Sequence, residues 1–130
     1  MSTRISTDSR ELEWRPASEI EVFSAYRLDS DEAGTGIFVK VVRQPDDGGG
    51  CWHCLFRFRP PPRRAIRVTA IARSDEEVFI LTGERAGHYG CNPSGLRHGQ
   101  TLTEDTTVLV HYHGQPDDVL GAEVIDLAEV

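Results

Sequence analysis

Ala65 to Gly99 reads A-I-R-V-T-A-I-A-R-S-D-E-E-V-F-I-L-T-G-E-R-A-G-H-Y-G-C-N-P-S-G-L-R-H-G. Two β-branched runs, Ile66–Ala72 and Val78–Leu81, are joined through Arg73, Ser74 and Asp75, which predicts two strands and a turn. Two acids, Glu76 and Glu77, stand at the head of the second run, and Thr82-Gly83 ends it. A turn-rich segment follows, punctuated by Gly87, Pro93 and Gly95, and delivers a single late histidine, His98.

On the N-terminal side, Trp52, Cys54, Phe56 and Phe58 alternate with His53, Leu55, Arg57 and Arg59, the period of a half-buried strand. Pro60-Pro61-Pro62 ends it, because proline donates no N–H to a ladder. Ile37–Val42 is a further strand, with a loop over 29–36 before it and a turn over 44–50 after it. On the C-terminal side, Thr106–His113 is a strand, 114–118 a turn, and Val119–Val130 a closing strand or a tail. Residues 11–25 fit either a short helix opened by Pro16 or an extended stretch around Ile20–Phe23. We expect a flexible arm over residues 1–15 and one domain over 16–130. Strands recur every 8–15 residues without a long helix, which predicts an all-β antiparallel sandwich or barrel.

The net charge of −7 argues against nucleic acid, which calls for a clustered basic face. No apolar run reaches the roughly 18 residues of a membrane span, and the N-terminal stretch lacks the apolar core of a signal peptide. Three cysteines cannot form a complete disulfide framework. A cytoplasmic protein is the expectation.

The segment resembles the cupin superfamily. The second cupin motif, G-x5-P-x-G-x2-H, is met by Gly87, Pro93, Gly95 and His98, and the end of the first by Glu76 and Gly83. Over residues 52–118 the chain is similar to the acetylacetone-cleaving dioxygenases and related small cupins, in E-V-F-I-L-T-G, Y-G-C-N-P-S-G-L-R-H-G-Q-T and H-Y-H-G-Q-P-D-D. The resemblance implies a single-domain jelly-roll barrel, a pocket for a small molecule, and a homodimer. It also implies that Ala70 and Ala72 stand where metal-binding members carry two ligand histidines.

With those ligands missing, the leading expectation is no cofactor. The chain would then be a small-molecule enzyme performing acid/base isomerisation, cyclisation or elimination on a carbonyl or polyketide-like compound. His98, with an ordinary pKa near 6.5, would move protons. Glu77 and Tyr112 would assist it, Glu77 being favoured over Glu76 because Phe79 and Leu81 share its face. Arg67, Asn92, Thr101, Trp52 and Phe56 would bind substrate. One alternative is a dioxygenase using iron or zinc held by His98, Glu76 or Glu77, and an unforeseen third ligand. Another is a cupin that binds a ligand without converting it. His111 and His113 would face outward if Tyr112 faces inward, Cys54 would be core, and Cys91 is a candidate pocket residue.

Overall fold

The computed structural model describes residues 6–30, 32–45 and 50–129. Among the described residues nine strands run β1 (Arg15–Pro16), β2 (Gly36–Arg43), β3 (Trp52–Arg59), β4 (Arg64–Ile71), β5 (Glu76–Thr82), β6 (Tyr89–Asn92), β7 (Arg97–Leu102), β8 (Thr106–Tyr112) and β9 (Asp118–Asp126). They form a six-stranded sheet in the order β1-β2-β3-β8-β5-β6 and a three-stranded sheet in the order β7-β4-β9. Every pairing is antiparallel.

Alternation along β3 and β8 builds the core. Cys54, Phe56 and Phe58 on β3 are buried together with Val108, Val110 and Tyr112 on β8, while the three-stranded sheet contributes Ile66, Val68 and Leu102. Each of these side chains lies on the inner face of its pleat, so the two sheets share one apolar interior. Gly83 closes the end of β5 at φ 105°, and a Cβ there would meet Thr106 Oγ1 at 2.5 Å. Glycine is required at this corner by both backbone and space.

Residues 11–25 form neither the expected helix nor an extended stretch. Consecutive 3-10 turns at Ala17–Glu19 and Glu21–Phe23 follow the two-residue β1 and roll Phe23 into the core. Phe23 packs edge-on against Trp52 and Phe56, at 5.7 and 5.1 Å between ring centroids. Aromatic edge-to-face packing outweighs the weak helical preference of this short segment. Of the expected arm, residues 6–15 are described. Ser9 accepts a hydrogen bond from Lys40 Nζ at 3.0 Å, and the same ammonium lies over the Trp14 ring at 4.8 Å. Residues 1–5, Asp31 of the expected loop, 46–49 of the expected turn, and Val130 lie outside the described residues.

β7 is absent from the sequence expectation. R-H-G-Q-T-L is polar and weakly β-forming, and it is held by a six-residue ladder to β4, from Ile66↔Leu102 to Ile71↔Arg97. The ambiguous C-terminal segment is a strand, β9, paired along the other edge of β4. No helix among the described residues is long and apolar enough to cross a membrane.

Phe56 is 1% exposed and belongs to the core cluster that both sheets share. Phe56→Ala should cost about 3–5 kcal/mol, whereas Leu109→Ala, on the partly exposed outer face of β8, should cost far less. Urea unfolding followed by fluorescence measures both.

Candidate functional site

The pocket begins with a cross-strand rung. Residues directly opposite in an antiparallel pair share a face, and Trp52, Tyr112, Glu76 and Asn92 are opposed in turn across β3, β8, β5 and β6. Tyr112 is buried, and Glu76 is 2% exposed. Asn92 Nδ2 donates to Glu76 Oε1 at 3.0 Å.

The facing sheet supplies His98 from β7, opposite Ala70 on β4. Ala70 and Ala72 are both buried, so short side chains line the ground beside the imidazole. A third charged group arrives from the turn between β8 and β9. Buried Pro116 anchors that turn and directs Asp117 inward. His98 Nε2 stands 2.8 Å from Glu76 Oε1 and 2.8 Å from Asp117 Oδ2. Neither oxygen lies along the ring N–H axis, so neither contact is a well-aligned hydrogen bond, and Asp117 Oδ1 has no partner at all. A cavity of about 170 Å³ adjoins the three groups, walled by Tyr26, Phe56, Phe58, Val78, Val108 and Tyr112.

Electrostatics follow from burial and proximity. Asp117 first, then Glu76, holds the proton on His98, pushing its pKa up to about 9. The imidazole is therefore a cation at neutral pH, not the neutral ring expected from its ordinary pKa. Burial raises the Asp117 carboxyl above the usual range, against the pull of His98. Burial likewise keeps the Tyr26 and Tyr112 phenols protonated, well above their usual pKa.

The sequence-predicted residues divide between three places. His98, Tyr112, Asn92 and Phe56 line the cavity. Trp52 packs behind it on Phe23. Arg67 and Thr101 line a second, larger cavity of about 400 Å³, and the two cavities meet at Arg85, Gly99 and Gln100. Arg67 spends its guanidinium on the exposed Glu123.

Glu77 is not in the pocket. Its cross-strand neighbours are His111 and Cys91, on the outer face, where it sits 3.3 Å from His113 Nε2. The misleading signal was Phe79 and Leu81. They share the face of Glu77 but are 39% and 42% exposed, while Val78 and Ile80 turn inward with Glu76. Cys91 is also outside, with its thiol 3.0 Å from the Tyr89 hydroxyl. Asp117 and Tyr26 are among the pocket residues that escaped the sequence reading, as are Arg85 and Gln100. Asp117 lies in a turn of ordinary composition, and its only signal was its place in the Q-P-D-D run. Tyr26 follows a segment whose fold was ambiguous.

Solved structures with this arrangement of strands include an RmlC-like cupin protein from Ralstonia eutropha. It matches at a TM-score of 0.59 with 13% identity, over 94% of this chain and 80% of that one. The polyketide cyclase RemF from Streptomyces resistomycificus matches at a TM-score of 0.54 with 14% identity, over 98% and 86%. The chain has the cupin fold. A variant of Bacillus subtilis oxalate decarboxylase matches at 0.50 with 15% identity, and there the chain spans 33% of the longer protein. At these identities the likeness is one of fold. No protein-family model matches this chain, and no curated protein sequence does.

The His98 cluster sets a pH signature. The folded chain binds that proton more tightly than the unfolded chain, whose imidazole titrates near 6.5. The resulting stabilisation is complete below about pH 6.5 and is lost as pH rises through about 9. The His98 ring proton resonances should titrate near 9, and Asp117→Asn should move that midpoint down. The urea midpoint of the wild-type chain should fall between pH 7 and 9, and that of Asp117→Asn less.

Proposed function

We infer that this cupin is a small-molecule enzyme that shuttles protons on an enolisable carbonyl compound, in isomerisation, cyclisation or elimination. The observation that carries the reading is the protonated His98 wedged between two buried carboxylates at the wall of an aromatic-lined cavity. An imidazolium in such a place donates to a carbonyl oxygen and stabilises the enolate that forms when the adjacent C–H is deprotonated. Asp117 is the group to take that proton. Burial makes it a stronger base than an ordinary carboxylate, and Oδ1 is unengaged. Returning the proton to a different carbon completes an isomerisation. Attack of the enolate carbon on a second carbonyl completes a cyclisation, and loss of a β-substituent an elimination. Asn92 holds Glu76 in place, and the phenols of Tyr26 and Tyr112 offer further protonated donors.

Size narrows the substrate. A cavity of about 170 Å³ is smaller than the roughly 300–1,000 Å³ typical of drug-sized ligands. It accommodates a small carbonyl compound or the reactive end of a longer chain, whose remainder would occupy the adjoining cavity beside Arg67 and Thr101. The fold shared with a polyketide cyclase is consistent with the cyclisation branch.

A second reading has its own observation. Glu76, His98 and Asp117 each present a ligand atom within 4.8 Å of the others, and His98 Nε2 and Asp117 Oδ1 lack hydrogen-bond partners. Two carboxylates and an imidazole suit an iron- or manganese-type ion, with Asp117 as the third ligand that the sequence alone did not supply. Such an ion would polarise a bound carbonyl or bring oxygen chemistry, as in the acetylacetone-cleaving enzymes that the sequence resembles.

The assay is hydrogen–deuterium exchange at the α-carbon of small β-dicarbonyls and ketones in D2O, followed by NMR. Catalysed exchange should fall about 10²–10⁴-fold in His98→Ala and Asp117→Asn and stay near wild type in Glu77→Gln. Exhaustive chelation should leave it unchanged. Loss on chelation, restored by ferrous or manganous ion, would replace the acid/base reading with the metal one.

A further inference from the structure

The outer face of the six-stranded sheet carries a second cluster of donor groups, on the opposite side of β5 and β8 from the pocket. His53 on β3, His111 on β8 and Glu77 on β5 are successive cross-strand neighbours. The rings of His53 and His111 stack, with centroids 4.0 Å and planes 23° apart, and His113 lies against His111 at 4.1 Å. Cys51, just ahead of β3, carries a free thiol at the same place. Its sulfur and a ring nitrogen of each of His53 and His111 all lie within 4.8 Å of one another. His111 Nε2 is shielded from solvent and has no hydrogen-bond partner. A shielded nitrogen of this kind is normally satisfied, and no neighbouring protein group satisfies it.

We propose that Cys51, His53 and His111 form a binding site for a transition-metal ion of the zinc class, separate from the pocket around His98. A thiolate and two imidazoles are the donors that borderline-soft ions select. Strand geometry accounts for their convergence. Cys51 and His53 are two apart and share a side, and His53 and His111 occupy one rung. Zinc bonds of about 2.3 Å to sulfur and 2.0–2.1 Å to nitrogen hold their donors roughly 3.3–3.7 Å apart. Closing the present spread to that range requires the stacked imidazoles of His53 and His111 to rotate out of their stack. Arg43, opposite His53, opposes a cation. Glu77, with Oε2 4.0 Å from His111 Nδ1, offsets it.

A rival set, Glu77, His111 and His113, shares His111 and replaces sulfur with oxygen. Cobalt(II) distinguishes the two, because only a thiolate ligand gives an intense sulfur-to-cobalt charge-transfer band in the near ultraviolet. The full chain is stripped with a chelator, kept reduced with a non-thiol reductant, and titrated with cobalt(II), then with zinc in competition. One equivalent should bind with that band, and zinc should displace it. Partners outside the ligand shell are worth about 10–100-fold in affinity, so losing a ligand should cost at least that. Cys51→Ser should abolish the band, and His53→Ala and His111→Ala should each weaken binding about tenfold or more. His98→Ala and Asp117→Asn should leave the band and its affinity unchanged. Thermal unfolding of each metal-free variant checks that the half-buried substitutions leave the fold intact. The assignment is overturned by no binding, by binding without the band, or by a band that survives His111→Ala. It is overturned equally if His98→Ala abolishes the band.

Discussion

The register between β5 and β8 decides what this protein presents to its interior and to its surface. Glu76 is opposite Tyr112, and Glu77 is opposite His111. A slip of one residue would exchange the two sets, because successive side chains on a strand point to opposite faces. The carboxylate that meets His98 would then be outside, and the outer imidazole cluster would lose its acid. Apolar pairing holds the register. Val78 opposes Val110 and Ile80 opposes Val108, all directed into the shared core. Gly83, at a φ open to glycine and against Thr106, fixes where β5 must end. Packing chosen for the core thus determines the chemistry on both faces.

The strands legible in the sequence were those whose burial is one-sided and strong. β3 announced itself by four apolar residues at period two, and all of its described inward positions after Trp52 are buried. β8 was legible as a strand too, but the inward turn of Tyr112 was an expectation of the resemblance, which its burial matches. β7 was not legible, since its order comes from β4 beside it and not from its own side chains. The same distinction explains the site. His98 could be found because glycines and a proline at fixed spacing surround it. Asp117 could not, because a carboxylate in a turn looks like any solvated turn acid until Pro116 is seen to be buried behind it.

β5 shows how local pattern misleads. Both of its faces carry apolar side chains, so period two marks a strand without saying which side is in. Phe79 and Leu81 share the face of Glu77, and that apolar company pointed the wrong way. What decides the matter is non-local. The inward face of β5 must match β8, whose own polarity is unambiguous, and that constraint appears only when the two strands are paired.

The charge count in the pocket joins the two functional readings into one physical problem. Two buried acids, Glu76 and Asp117, face His98 in surroundings that solvate charge poorly, and Arg85 stands on the same cavity wall. Water reaches His98, whose side chain is 25% exposed, but scarcely reaches Glu76 or Asp117. Such a cluster lowers its energy by gaining positive charge. A proton is one source, and the raised pKa of Asp117 expresses that demand. A divalent cation is the other, and the poorly directed contacts of His98 Nε2 express it too. The short side chains of Ala70 and Ala72 weigh on this choice, for they add no further donors to complete a coordination shell from the β4 side. A shell of three protein ligands is enough for a catalytic ion, whereas a shared proton needs only the three groups already in contact. The three groups in contact are thus enough for either role, and the alanines would limit an ion to those three protein ligands, with its remaining positions open to substrate.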